Sequence, residues 1–220
     1  MNFSEIFAAY PELIQGAKTT ALIFVIAVAF GLAFGSLLAL ARNSKNKLIQ
    51  FPAMVYINTF RSIPLIMVLL GFYLAIPTFL KSIGFTDIAL PSAIISFCLF
   101  ESAYFAEVIR SGIIGVSPNQ TAAAKSLGLS KWQTSSLVVL PQAFKNSRKS
   151  LIDQCKSLLQ DTPLVYVIGL EDWFTTAVHI GDRIGHIESG VIVATAGFIL
   201  VCITLQRLSD KFNNKKGETA

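Results

Sequence analysis

From Thr19 to Ala41 the chain carries no charged side chain. Wound as a helix at about 1.5 Å per residue, that run outreaches the roughly 30 Å hydrocarbon core of a bilayer. Composition agrees, because 53% of the residues are hydrophobic and 14% charged, where a soluble domain carries about a quarter charged. The chain reads as an all-α membrane protein. Further apolar runs follow. Residues 48–80 are too long for one helix and contain Arg61 and Pro64, so they divide into a lead-in, 48–60, and a span of about 62–80. With 88–109, 151–170 and 190–205 this makes five expected spans, about 19–41 being the first. A segment of 1–18 precedes the transmembrane domain, 19–206, and a tail of 207–220 follows it.

Five crossings put the termini on opposite sides, and the lysines and arginines decide which is which. Fourteen of them fall on one side, in the 42–61 and 110–150 connections and the tail, against Lys18, Lys81 and Arg183 on the other. The expected N-terminus is therefore outside, and the 110–150 loop and the tail are cytoplasmic. Segment 1–18 has Glu5, Glu12 and only Lys18, unlike the basic start of a cleaved leader. Its Phe3, Ile6, Phe7, Tyr10, Leu13 and Ile14 follow helical spacing, which suggests a surface helix restarting near Pro11. Net charge of +5 is thus a topology signal, and nucleic acid is not an expected partner. Membrane lipid is.

Ala27, Gly31, Gly35 and Ala39 recur every four residues in the first span, a smooth stripe for close helix packing within the chain. Asp153, Lys156, Gln160 and Asp161 share one face of the fourth, which no lipid-facing helix tolerates. They line either a wet pathway or a structural ion-pair network. Glu101 and Glu107 in the third span invite the same reading, although Glu107 and Arg110 can pair at i, i+3.

Between these runs stands a polar stretch, residues 117–141. Ser117, Pro118 and Gln120 make a helix start with a capping box, and Gly128 suits a helix stop. Ser130 with Gln133 repeats the box and opens a second helix, expected to end at Leu140 before Pro141. Ala122, Ala123 and Ala124 leave the first helix with little relief, so another protein's surface can approach its backbone. Only Lys125 and Lys131 lie within this hairpin, too few for a DNA-binding helix-turn-helix.

Ala122-Ala123-Ala124, three residues, Gly128, nine residues, then Val138-Val139-Leu140-Pro141 resembles the EAA loop of ABC importer permeases, with Ala122 where the family often has glutamate. Asn58-Thr59-Phe60-Arg61-Ser62-Ile63-Pro64-Leu65, Phe100-Glu101-Ser102-Ala103-Tyr104, Glu107-Val108-Ile109-Arg110-Ser111-Gly112-Ile113 and Gln160-Asp161-Thr162-Pro163-Leu164-Val165 resemble segments of the polar amino acid permeases, closest to glutamate/aspartate subunits. Pro163 stands inside the family's DTSL segment and should bend or break the fourth span.

The resemblance implies the type I ABC importer permease fold, a multi-pass protein of the bacterial inner membrane and the binding-protein-dependent transport component group. It implies a coupling helix seated on an ATPase dimer, with Ala122, Ala123, Ala124 and Gly128 as the contact and Leu140 and Pro141 as the stop that transmits motion. A second permease copy or paralogue, a periplasmic solute-binding protein and a polar amino acid are the further implied partners. Candidate pathway residues are Arg61, Glu101, Asp153, Lys156, Gln160 and Asp161; Lys156 is the base well inside a span, and an acidic amino acid needs a cation.

No GxxxxGK[ST] phosphate loop occurs. The chain is therefore expected to be no enzyme and to bind no cofactor or metal, ATP and Mg being used by the partner ATPase. The alternative is an ion-coupled secondary transporter or channel subunit, which needs no capped hairpin. Cys98, Cys155 and Cys202 lie in apolar runs without CxxC spacing and read as packing residues. His179 and His186 lack a nucleophile or ligand set nearby and read as loop residues or contacts to a binding protein.

Overall fold

The computed structural model describes residues 3–82, 84 and 86–214, and every regular element among them is helical. Contacts divide the chain into two units, Met1–Ala27, Pro64–Phe97 and Lys156–Ala220 forming the first and Val28–Ile63 and Cys98–Cys155 the second. Lys215 and Lys216, part of the basic tail, lie outside the described residues.

In the first unit, α1 (Phe3–Ala8) buries Ile6 and α2 (Tyr10–Arg42) starts one residue before Pro11. Proline fits a first turn because its missing N–H has no helical partner there, so the restart expected at Pro11 is where the helix begins. α10 (Trp173–Arg183) and α11 (Ile187–Asn214) form an antiparallel pair around Gly190, which sits too close to the Ala177 carbonyl for a methyl group. Asp172 caps α10, its carboxylate accepting from the Thr175 N–H at 2.9 Å. Ile6, Leu13, Ala177, Ile180, Val193 and Ala194 make the core, and a fully buried isoleucine there contributes about 1.5–3 kcal/mol. Arg183 donates to Glu12 at 2.9 Å on the surface, and that carboxylate pushes the guanidinium pKa further up.

The second unit holds the rest of α2, α3 (Lys47–Ser62), most of α6 (Ala89–Ile114), the polar hairpin and most of α9 (Leu140–Asp161). The glycine stripe does what its spacing predicts: Gly31 lies under the Phe105 ring and Gly35 against the Ala106 nitrogen and Ser102 carbonyl, each within 3.0 Å of where a Cβ would stand. Leu38, Ala53, Ile57 and Ala106 fill the interior, flanked by Phe34 and Tyr56. The Tyr56 hydroxyl donates to the Leu99 carbonyl at 2.8 Å.

Among the described residues three helices, Tyr10–Arg42, Ala89–Ile114 and Ile187–Arg207, are long and apolar enough to cross a membrane, and a bent pair, α3 with α4 (Leu65–Ala75), makes up to four. The expected span 62–80 is not one helix. Ile63 and Pro64 are extended, because proline disfavours the helical region for the residue before it; α4 then stops at Ala75 and α5 (Pro77–Ser82) follows. The fourth run, 151–170, is also divided. α9 ends at Asp161 and a 3-10 turn, Thr162–Ile168, carries Pro163 near its start and closes at Gly169 with φ +73°. Without an N–H, Pro163 cannot continue the α pattern. Within the expected 110–150 connection, α6 continues to Ile114 and α9 begins at Leu140.

Candidate functional site

Glu107, on the last turns of α6, gathers three guanidinium groups. Arg42 at the end of α2 stands 3.0 Å from Oε2, Arg110 reaches Oε1 at 2.5 Å, and Arg61 at the end of α3 lies 3.9 Å from Oε2. One carboxylate among three arginines leaves net positive charge. Arg61 rests its guanidinium over the Tyr104 ring, 5.5 Å from the centroid, where the ring quadrupole favours a cation. Beside the cluster a cavity of about 680 Å³ is lined by Arg61, Glu107 and Arg110 and by residues of α9 including Asn146, Ser150 and Gln154.

α9 is held against α6 by close contact. Gly112 has no space for a methyl group beside Ser147 and the Ala143 carbonyl, and the Ser147 hydroxyl donates to the Val108 carbonyl at 3.0 Å. About two turns further along α9, the Gln154 amide donates to Glu101 at 2.8 Å, and Glu101 is fully buried. That bond compensates part of the cost of burying a carboxylate.

The remaining stripe residues on α9 have separate neighbours. Lys156 donates to the Gln206 side-chain oxygen Oε1 at 2.5 Å and Gln160 to the Cys202 sulfur at 3.9 Å. Asp153 is half-buried; Asp161 precedes the 3-10 turn without capping it. Gln160 is exposed within this chain.

The polar stretch forms a helical hairpin with two departures from its expected form. α7 (Pro118–Ser126) opens with proline in its first turn, but Ser117 makes no side-chain cap; Gln120 instead accepts from the Gln142 amide at 3.3 Å. Its end is as expected. Gly128 has φ +80°, with Gly128 N–H bonding Lys125 O at 2.9 Å and Leu129 N–H bonding Ala124 O at 3.2 Å, a Schellman close. α8 (Lys131–Gln133) carries the full Ser130–Gln133 capping box.

The second departure is larger, because Leu140 and Pro141 do not stop the helix. A π turn, Thr134–Val139, leads straight into α9 through Pro141. Proline lacks an N–H and its ring crowds the carbonyl four residues back; the wider turn relieves that crowding, and the Gln142 amide takes up the Val138 carbonyl at 3.0 Å. Ala122 and Ala123 are exposed, and Leu127 and Trp132 beside them expose 80% and 62% of their surface.

Residues 31–217 match the family described as binding-protein-dependent transport system inner membrane component. The chain belongs to that family.

Among relatives of this transport component, the glutamate/aspartate import permease GltK of Escherichia coli O6:H1 is 43% identical over 93% of the chain and 92% of its own length. The inner membrane amino-acid ABC transporter permease YhdY of Escherichia coli K12 is 34% identical over 88% of the chain and 53% of its own length. A crystal structure of an amino acid ABC transporter with histidines superposes with TM-score 0.82 at 29% identity, over 98% of this chain and 99% of that one. As an inner membrane transport component, the chain is a permease subunit and not an enzyme.

For this permease subunit, sequence spacing pairs Glu107 with Arg110 but does not bring Arg42 or Arg61 to the same carboxylate. Gln154 was missed too. The one signal for it is its place one residue after Asp153, on a neighbouring stripe of the same helix.

Proposed function

We propose that this chain is the membrane-spanning subunit of an ATP-driven importer of acidic amino acids, glutamate and aspartate. The observation that carries the substrate is the 43% identity to a glutamate/aspartate import permease along nearly the whole of both chains. Five crossings are read from the apolar runs, and the lysine and arginine distribution puts the N-terminus outside. In this reading the α3–α4 pair and α9 with its 3-10 turn are each one interrupted crossing.

The hairpin is the contact for a partner ATPase dimer, which uses the ATP and Mg. Ala122, Ala123 and Gly128 present a low surface, whereas Ala124, expected in the same contact, is buried within the chain; exposed Leu127 and Trp132 support burial against a partner. Because the helix continues through Pro141 into α9, a push on the hairpin passes along α9 to the stripe of Asp153, Lys156, Gln160 and Asp161. Leu140 and Pro141 then act as a joint in a continuous rod rather than as its end. Arg61 and Glu101 complete the candidate pathway set. A second permease copy or paralogue encloses the path, and a periplasmic solute-binding protein delivers the amino acid.

Proteoliposomes containing this chain with its ATPase, its permease partner and the binding protein test the reading. Uptake of labelled glutamate should require ATP and be competed by aspartate but not by arginine. Uptake driven by an ion gradient without the ATPase would contradict it.

A further inference from the structure

Among the described residues that line the cavity beside Glu107, positive charges outnumber negative ones. Glu107 is engaged by Arg42 at 3.0 Å and Arg110 at 2.5 Å, so Arg61, at 3.9 Å, is the loosest member of the cluster, and 40% of its side chain is exposed. The charged groups lining the cavity are Arg61, Arg110 and Glu107, one positive charge in excess. The rest of the lining is mostly hydroxyl and amide: Ser111, Ser147 and Ser150, with Asn146 and Gln154. Among the described lining residues only Val108 and Ile114 are aliphatic, too little apolar wall for an acyl chain.

We propose that this cavity is a binding site for a dicarboxylic amino acid, with one carboxylate on Arg61. The planar guanidinium offers two parallel donors to a carboxylate, and its seat over Tyr104 holds it in place. Glutamate or aspartate carries one net negative charge, which neutralises the excess; an amide such as glutamine leaves it uncompensated. Glu107, the one carboxylate among the described lining residues, is the group that attracts the ligand ammonium. A lipid phosphate would meet the same guanidinium with its tails left in the bilayer, so displacement of glutamate by anionic lipid added to the nanodiscs would count against the proposal. This site rests on the acidic amino acid reading above and adds a position for the substrate separate from the α9 stripe.

The test is equilibrium dialysis of labelled L-glutamate against the purified full chain in phosphatidylcholine nanodiscs, with L-glutamine, glutarate and inorganic phosphate as competitors. Glutamate should bind about tenfold more tightly than glutamine, the scale of one charge-assisted hydrogen bond. Arg61→Gln should remove that preference, and Ser150→Glu, an exposed change that cancels the excess charge, should weaken glutamate binding about tenfold without touching Arg61. Unchanged glutamate binding in Ser150→Glu and in a folded Arg61→Gln would overturn the proposal. Equal displacement by inorganic phosphate would do so too, by showing an unselective oxyanion patch. ATP-driven uptake by the complete complex is read separately: import with wild-type binding in both variants sinks the cavity alone, and binding without ATP-dependent import sinks the importer reading alone.

Discussion

The Ser147 hydroxyl donates to the Val108 carbonyl 3.0 Å away, across a contact where Gly112 has no room for a methyl group. α6 and α9 are thereby locked beside the charged cavity. Gly112→Ala should lower the stability of the detergent-purified chain by about 1–3 kcal/mol through overpacking, because the Ala143 backbone carbonyl cannot swing aside. Ser147→Ala should cost about 1 kcal/mol. The double variant should be less than additive, since removing the hydroxyl removes one of the two clashes. Thermal melting checks this, and additive losses would contradict the geometry.

Glu107→Gln should destabilise the same unit by about 2 kcal/mol, because a half-buried carboxylate that compensates several guanidinium groups is replaced by a neutral amide. Adding Arg42→Gln to Glu107→Gln should recover part of that loss, as one uncompensated cation disappears. A double-mutant cycle by chemical unfolding measures the coupling; zero coupling would show that the 3.0 Å contact contributes nothing.

At Gly128 a Cβ would meet no atom within 4 Å, yet φ is +80°. Any loss of stability in the isolated chain on substitution there is therefore backbone strain of about 1–2 kcal/mol and not a clash within the chain. Gly128→Ala and Gly128→Asn separate the two causes, because asparagine tolerates the left-handed region. Asparagine should keep most ATP-driven uptake and alanine less. Equal uptake in wild type and Gly128→Val would contradict a coupling role for this turn.

Trp173 donates its indole N–H to the Ala194 carbonyl at 3.0 Å, with Gly197 leaving room for the ring. Trp173→Phe keeps the ring in its slot and loses one hydrogen bond, about 1 kcal/mol; Gly197→Val should cost more, because its side chain enters the space of the indole. A reversed order in thermal melting would contradict the packing.

What could be read from the chain is what depends on near neighbours. The Schellman close at Gly128, the box at Ser130 and Gln133 and the stripe at Gly31 and Gly35 involve residues within a turn or two, and spacing determines them. The convergence of Arg42 and Arg61 on Glu107 depends on how three helices meet, which no periodicity reports. The run of the helix through Pro141 is hidden from the sequence for a different reason. Proline is a strong break signal in an α pattern, but a π turn ahead of it removes the clash, and local sequence alone does not distinguish the two outcomes. Likewise, apolarity over 62–80 predicts one span, while Pro64 and the short α4 show that hydropathy averages over a break.

The most direct test of the central claim, that the hairpin is where a partner ATPase engages this permease, uses Trp132 as a reporter. The chain has two tryptophans, so in a Trp173→Phe background the emission comes from Trp132, which is 62% exposed. Titration with the ATPase dimer should shift that emission to shorter wavelength and protect it from acrylamide quenching as the indole leaves water. An unchanged spectrum under conditions where the ATPase co-purifies with the permease would contradict the account.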